Sequence, residues 1–154
     1  STGIVYQYFK DKHDILIEAL KKYADNIFYP MLNISAKEFN KNNLDEIIRK
    51  MINSFIQNHK LSQSAHEEIM AMAHSDREVA FYFHKREMEM TVRIYDLLVK
   101  NGFDGKNLMV KAPIAIGIID NLCHEIVYHK HSELNYGLMT DICISAIIDI
   151  LNKD

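Results

Sequence analysis

The stretch Leu44-Asp45-Glu46-Ile47-Ile48-Arg49-Lys50-Met51-Ile52-Asn53-Ser54-Phe55-Ile56 decides the fold class. Its apolar residues fall at 44, 47, 48, 51, 52, 55 and 56, three and four apart, with charged or polar groups between them. That spacing places one stripe along a helix and cannot sit on one face of a strand, where the period is two. Asn43 followed by Glu46 gives the stripe a capping signal at its start. The same reading extends in both directions. Asp11 with Asp14 opens a helix whose apolar positions run from Ile15 to Phe28 and which Pro30 ends or kinks. Residues 34–43 read as a loop. Ser64 with Glu67 opens a short helix, and Ser75 with Glu78 a long one that stops at Asn101-Gly102, where glycine can take the left-handed C-cap. Two long helices close the chain, Leu108 to about His131 and Glu133 to about Asn152, with Pro113 kinking the first or marking its first turn.

Composition agrees. The 154 residues are enough for one domain with a substantial core. Five glycines and two prolines amount to about 4.5% of the chain against roughly 12% on average, too few turn residues for an all-β fold. The expected fold class is therefore all-α. Apolar residues are 48% and charged residues 25%, as in a soluble globular protein. The formal net charge of −3 excludes nucleic-acid binding by bulk positive charge but not a small local docking surface. Cys123 and Cys143 lie in apolar segments twenty positions apart and read as reduced core thiols. The longest uncharged run, residues 26–36, is far short of the ~20 residues that span a bilayer, so no membrane partner is expected. No signal peptide is read, and the expected location is the cytoplasm.

The first twelve residues are Ser1-Thr2-Gly3-Ile4-Val5-Tyr6-Gln7-Tyr8-Phe9-Lys10-Asp11-Lys12, followed by Ile15-Leu16-Ile17-Glu18-Ala19-Leu20. This resembles the end of the helix-turn-helix of TetR/AcrR-family transcriptional regulators. The pattern there is Ser-x-Gly-small-aliphatic-Tyr-x-Tyr/His-Phe-x-x-Lys and then an acidic, Leu-rich helix. Ser1, Gly3, Val5, Tyr6, Tyr8, Phe9 and Lys12 match, whereas Ile4 stands where Thr, Ser or Ala is usual. The resemblance covers about twenty residues. It implies an all-helical, homodimeric regulator, usually a repressor released by a small molecule. It also implies that the earlier helices of the motif lie upstream of Ser1. On that reading residues 1–28 are the end of the DNA-binding domain and its connecting helix, and 29–154 the ligand-binding and dimerisation domain.

The residues suit the implied role. A recognition helix sets its N-terminal side chains against base edges in the major groove. Ser1 and Thr2 offer hydroxyls, and Gly3 permits close backbone approach. Tyr6, Tyr8 and Lys12 suit phosphates, and Thr2 and Gln7 suit base edges. Val5 and Phe9 would face inward. Without the resemblance, Tyr6, Tyr8 and Phe9 would read as a core aromatic cluster.

Further along, methionine and aromatic residues gather on the helices from Ser64 and Ser75, including Met70, Phe81, Tyr82, Phe83 and Met90. Core packing explains any one of them. Together they suggest an adaptable, largely apolar pocket between helices. The expected ligand-binding residues are Phe55, His66, Met70, His74, Tyr82, Met90, Asn121 and His124. The final helix has a narrow polar stripe (Asp141, Ser145, Asp149, Asn152) with apolar residues on both sides of it. A helix apolar on two sides is packed on two sides. The expected homodimer interface is Ile118, Leu122, Ile126, Leu138, Ile142, Ala146 and Ile150.

No nucleophile elbow, phosphate-cradling glycine loop or catalytic dyad is present, so no enzyme, catalytic residue or cofactor is expected. Asp120/His124 and Glu125/His129 are i,i+4 pairs, but Glu-x-x-His and His-Glu-x-x-His are both missing, and no metal is expected. The expected partners are double-stranded operator DNA, a small-molecule effector and a second copy of the chain. The alternative is a helical-bundle enzyme or carrier for an apolar molecule that never touches DNA.

Overall fold

The computed structural model describes residues 8–31, 41–61 and 63–153. Among the described residues there are six α-helices and no strand. They are α1 (Lys12–Met31), α2 (Leu44–Leu61, after a 3-10 turn at Lys41–Asn43), α3 (Gln63–Ala73), α4 (Arg77–Lys100), α5 (Leu108–His124) and α6 (Tyr136–Asn152). The all-α expectation holds.

Helix α2 is the axis of the core. Its stripe of Leu44, Ile47, Ile48, Met51, Ile52, Phe55 and Ile56 is buried throughout. It packs against α1, α3, α5 and α6. Helix α4 closes the other side against α1, α3 and α5. From α6, Ile144, Ile147 and Leu151 enter the core, and Arg49 of α2 holds Asp141 of α6 at 2.9 Å on the surface.

The helix ends follow short polar side chains. Asp11 accepts a hydrogen bond from the Asp14 N–H at 2.9 Å, and Asp14 in turn accepts one from the Lys10 N–H at 3.1 Å. Helix α4 is capped by Asp76, which accepts from the N–H groups of Glu78 and Val79. Ser75, the sequence candidate, instead donates to the Met72 carbonyl of the helix before. Asp76 also receives His13 of α1 at 2.7 Å, so one carboxylate caps α4 and ties it to α1. Gly102 ends α4 at φ +81° as its position suggests.

The last two helices differ from the expectation at their junction. The α-helical register of α5 stops at His124, and residues Glu125–His129 form a π-turn closed by the Lys130 N–H on the Glu125 carbonyl. Helix α6 begins at Tyr136 rather than Glu133, because Asn135 supplies the side-chain acceptor for the Leu138 N–H. Pro113 lies inside α5, not in its first turn.

Candidate functional site

Five helices enclose a cavity of about 260 Å³, mostly apolar and partly open. Helix α1 contributes Tyr23, α2 contributes Phe55 and His59, and α3 contributes His66 and Met70. Helix α4 adds Phe83, Glu87, Met90 and Thr91. The wall from α5 consists of Pro113, Ile116, Gly117, Asp120 and His124, spaced three or four residues apart along one helix face with Ile116 and Gly117 side by side.

The polar end of the cavity is built from three histidines. His59 is 1% exposed and His66 6%. The ring centroids of His66 and His124 are 4.8 Å apart, and those of His59 and His66 4.9 Å apart. His66 Nε2 lies 3.1 Å from His124 Nε2. Its other nitrogen, Nδ1, is hydrogen-bonded to the Tyr23 hydroxyl. The His66 ring stacks on Tyr128, at 5.2 Å and 20°. His59 Nδ1 lies 2.9 Å from the Phe55 carbonyl one turn back, so that nitrogen carries the proton and donates. His59 Nε2 then holds a lone pair and has no hydrogen-bond partner among the described residues.

Burial sets the charges here. Desolvation lowers His59 and, with help from the two neighbouring histidines, lowers His66 to about 3. Both rings are therefore neutral at ordinary pH. Desolvation also raises the carboxyl of Asp120, 3.8 Å from His124 Nε2, and pushes Tyr128 up to about 12. Cys123 is a free, buried thiol raised by the same cause, and Cys143 is also free.

Of the eight residues expected to bind ligand, Phe55, His66, Met70, Met90 and His124 line the cavity. His74 is exposed beyond the end of α3. Tyr82 is half-buried outside the lining, its hydroxyl accepting from Arg86 Nε at 2.7 Å. Asn121 is exposed, since one step from Asp120 turns a side chain by about 100° around a helix. The expected list omitted His59, although the stripe of α2 continues by 55+4 and 56+3 onto it, a polar group on an apolar face.

The expected interface residues are divided. Leu138 and Ile142 are exposed, Ile142 by 60%, and Ile118, Ile126, Ala146 and Ile150 are half-buried. Leu122 is 2% exposed within the core of the subunit, so its side chain is not available to a partner. Exposed Val110 and Ile114 add apolar surface to α5. At the other end of the chain, Tyr8 and Lys12 are exposed, whereas Ser1, Thr2, Gly3, Tyr6 and Gln7 lie outside the described residues.

A second polar group, Glu125 with His129 and His131, sits at the end of α5. Glu125 pairs with His129 at 2.7 Å and His131 at 3.6 Å, both rings exposed, and the first of these bonds lowers its carboxyl. No family model, curated protein or solved structure matches the chain. No helix among the described residues is long and apolar enough to cross a membrane.

Proposed function

We propose that this chain is a small-molecule-responsive DNA-binding transcriptional regulator of the TetR/AcrR type, a cytoplasmic repressor released from its operator by a ligand. One observation carries the reading. Helix α1 starts at the segment that resembles the end of a helix-turn-helix, and the same helix sets Tyr23 in the cavity wall. Occupancy of the cavity and placement of the DNA-reading segment thus meet on one rigid element. Two polar contacts fasten α1 to α4, His13 to Asp76 and Asp25 to Arg86 at 2.9 Å. A ligand that fits the cavity better in one tilt of α1 shifts the population toward that tilt, by no more than its differential affinity. The exposed apolar residues of α5 and α6 support a homodimer, which a pair of recognition helices needs to read two half-sites. The reading assigns no catalytic step.

The test is selection of binding sites from random-sequence duplex DNA by the full-length protein. The expected result is enrichment of two-fold symmetric sites whose binding weakens steeply with salt. A folded dimer that enriches no sequence overturns the reading and leaves the carrier or enzyme alternative, which shares the cavity and needs no DNA.

A further inference from the structure

We propose that His59, His66 and His124 form a binding site for a divalent transition metal of the zinc class, with its fourth coordination position facing the cavity. The inference goes beyond the regulatory reading and stands whether or not the protein binds DNA.

The geometry of each ring carries the argument. One nitrogen from each of the three rings lies within 4.8 Å of the other two. Two nitrogens on a tetrahedral zinc with Zn–N of about 2.0–2.1 Å stand about 3.3 Å apart. The Nε2 pair of His66 and His124 is already at 3.1 Å. Bringing the whole set from within 4.8 Å to that spacing takes movements of up to about 1.5 Å.

Metal-binding histidines present one nitrogen to the ion and hold the other in an outer hydrogen bond that fixes tautomer and orientation. His59 has this arrangement: Nδ1 donates to the Phe55 carbonyl, and the buried Nε2 lone pair is unsatisfied among the described residues. His66 has it as well, with Nε2 toward the cluster and Nδ1 on the Tyr23 hydroxyl. A buried acceptor without a donor keeps the full penalty of its desolvation. A cation at this point would satisfy it.

The donor set selects the metal class. Three imidazoles without a thiolate suit zinc, cobalt, nickel or copper(II), whereas magnesium and calcium prefer oxygen ligands. Three protein ligands leave one position of a tetrahedron open, and here it opens onto the cavity. Asp120, 3.8 Å from His124 Nε2, places a carboxylate where it offsets the ion's charge. The group of Glu125 with the exposed rings of His129 and His131 is a different case, because its carboxylate is already paired with both rings.

The experiment titrates the chelator-stripped protein with Zn²⁺ alone against a chromophoric competitor, and with Co²⁺ alone followed by visible absorption. We expect one tight site per chain with Kd below about 1 µM and the intense bands of low-coordinate Co²⁺. His59→Gln and His124→Gln should each weaken binding by about 100-fold or more, beyond the roughly 10–100-fold that loss of an outer orienting group costs. Tyr23→Phe should weaken it about 10-fold. The double variant His129→Gln/His131→Gln should bind like the parent. Circular dichroism checks that each variant folds. Should the cluster variants fail to fold, the parent's Co²⁺ spectrum together with the double variant decides. The proposal is overturned if the parent shows only weak octahedral Co²⁺, if folded His59→Gln binds as tightly as the parent, or if the double variant loses the site.

Discussion

His66 and His124, on α3 and α5, face each other through Nε2 atoms 3.1 Å apart. At that distance one nitrogen carries a hydrogen and the other a lone pair. With His66 Nδ1 donating to the Tyr23 hydroxyl, the His66 lone pair sits on Nε2 and accepts from His124. The three side chains then form a directed row of donors from α5 to α1. A proton added to His66 Nε2, the accepting nitrogen, breaks the row.

Stability should therefore fall in acid. His59 and His66 have folded-state pKa values below the unfolded 6.5, His66 at about 3. Below pH 6.5 the unfolded chain takes up protons that the folded chain refuses, so stability is full above 6.5 and declines as pH falls toward 3. Urea unfolding of the metal-free protein between pH 7.5 and about 4 should show this decline. His66→Gln should flatten it. An unchanged pH slope in that variant would contradict the buried neutral ring.

Two apolar positions separate core from interface. Leu122→Ala should destabilise the protein by about 2–5 kcal/mol, since it empties a packed position inside the subunit. Ile142→Arg should leave each subunit folded and shift sedimentation toward monomer, because Ile142 is exposed on α6. The reverse assignment of effects would refute the placement.

Gly117 sits in the interior of α5, and a Cβ built there meets nothing within 4 Å. Gly117→Ala should therefore gain the helix propensity without a clash, raising stability by roughly 0.5–1 kcal/mol in denaturant unfolding. Gly117→Leu should extend into the cavity that this residue lines and reduce uptake of apolar dyes.

For DNA, Lys12→Ala should weaken binding by the full-length protein about equally for all sequences and reduce the salt slope by about 1. Thr2→Ala and Gln7→Ala should each lose roughly 1–3 kcal/mol at one base position and relax specificity there. Fluorescence anisotropy at several salt concentrations distinguishes the two patterns.

Periodicity made the helices legible, because burial of α2, α4 and α6 follows the same 3.6-residue spacing that the side-chain types do. Exact ends were harder. Ser75 and Asp76 are adjacent cap candidates, and only the partner from α1 favours Asp76, a contact 63 residues away that no local pattern carries. The π-turn after His124 leaves no mark on an apolar stripe read in steps of three and four. In the cavity, the apolar expectations Phe55, Met70 and Met90 line the wall and Tyr82 does not; of the polar ones His66 and His124 line it, whereas His74 and Asn121 are exposed. His59 was overlooked because it comes at the end of a stripe, where a polar residue reads as the edge of the surface. Its burial depends on α3 and α5 closing over it.

Helix α1 has a mechanical consequence. Lys12 and Tyr23 are eleven residues apart on it, about 16 Å at 1.5 Å per residue. A helix of this length behaves as a stiff rod, pinned near its start by His13 on Asp76 and further along by Tyr23 on His66. If the second pin is displaced while the first holds, the rod pivots about His13. A tilt of about 4° corresponds to roughly 1 Å of travel at Tyr23. Residues 8–11, just beyond the pivot, then turn with the rod while moving little. Gearing of this kind turns a small movement at the cavity into a reorientation at the start of α1.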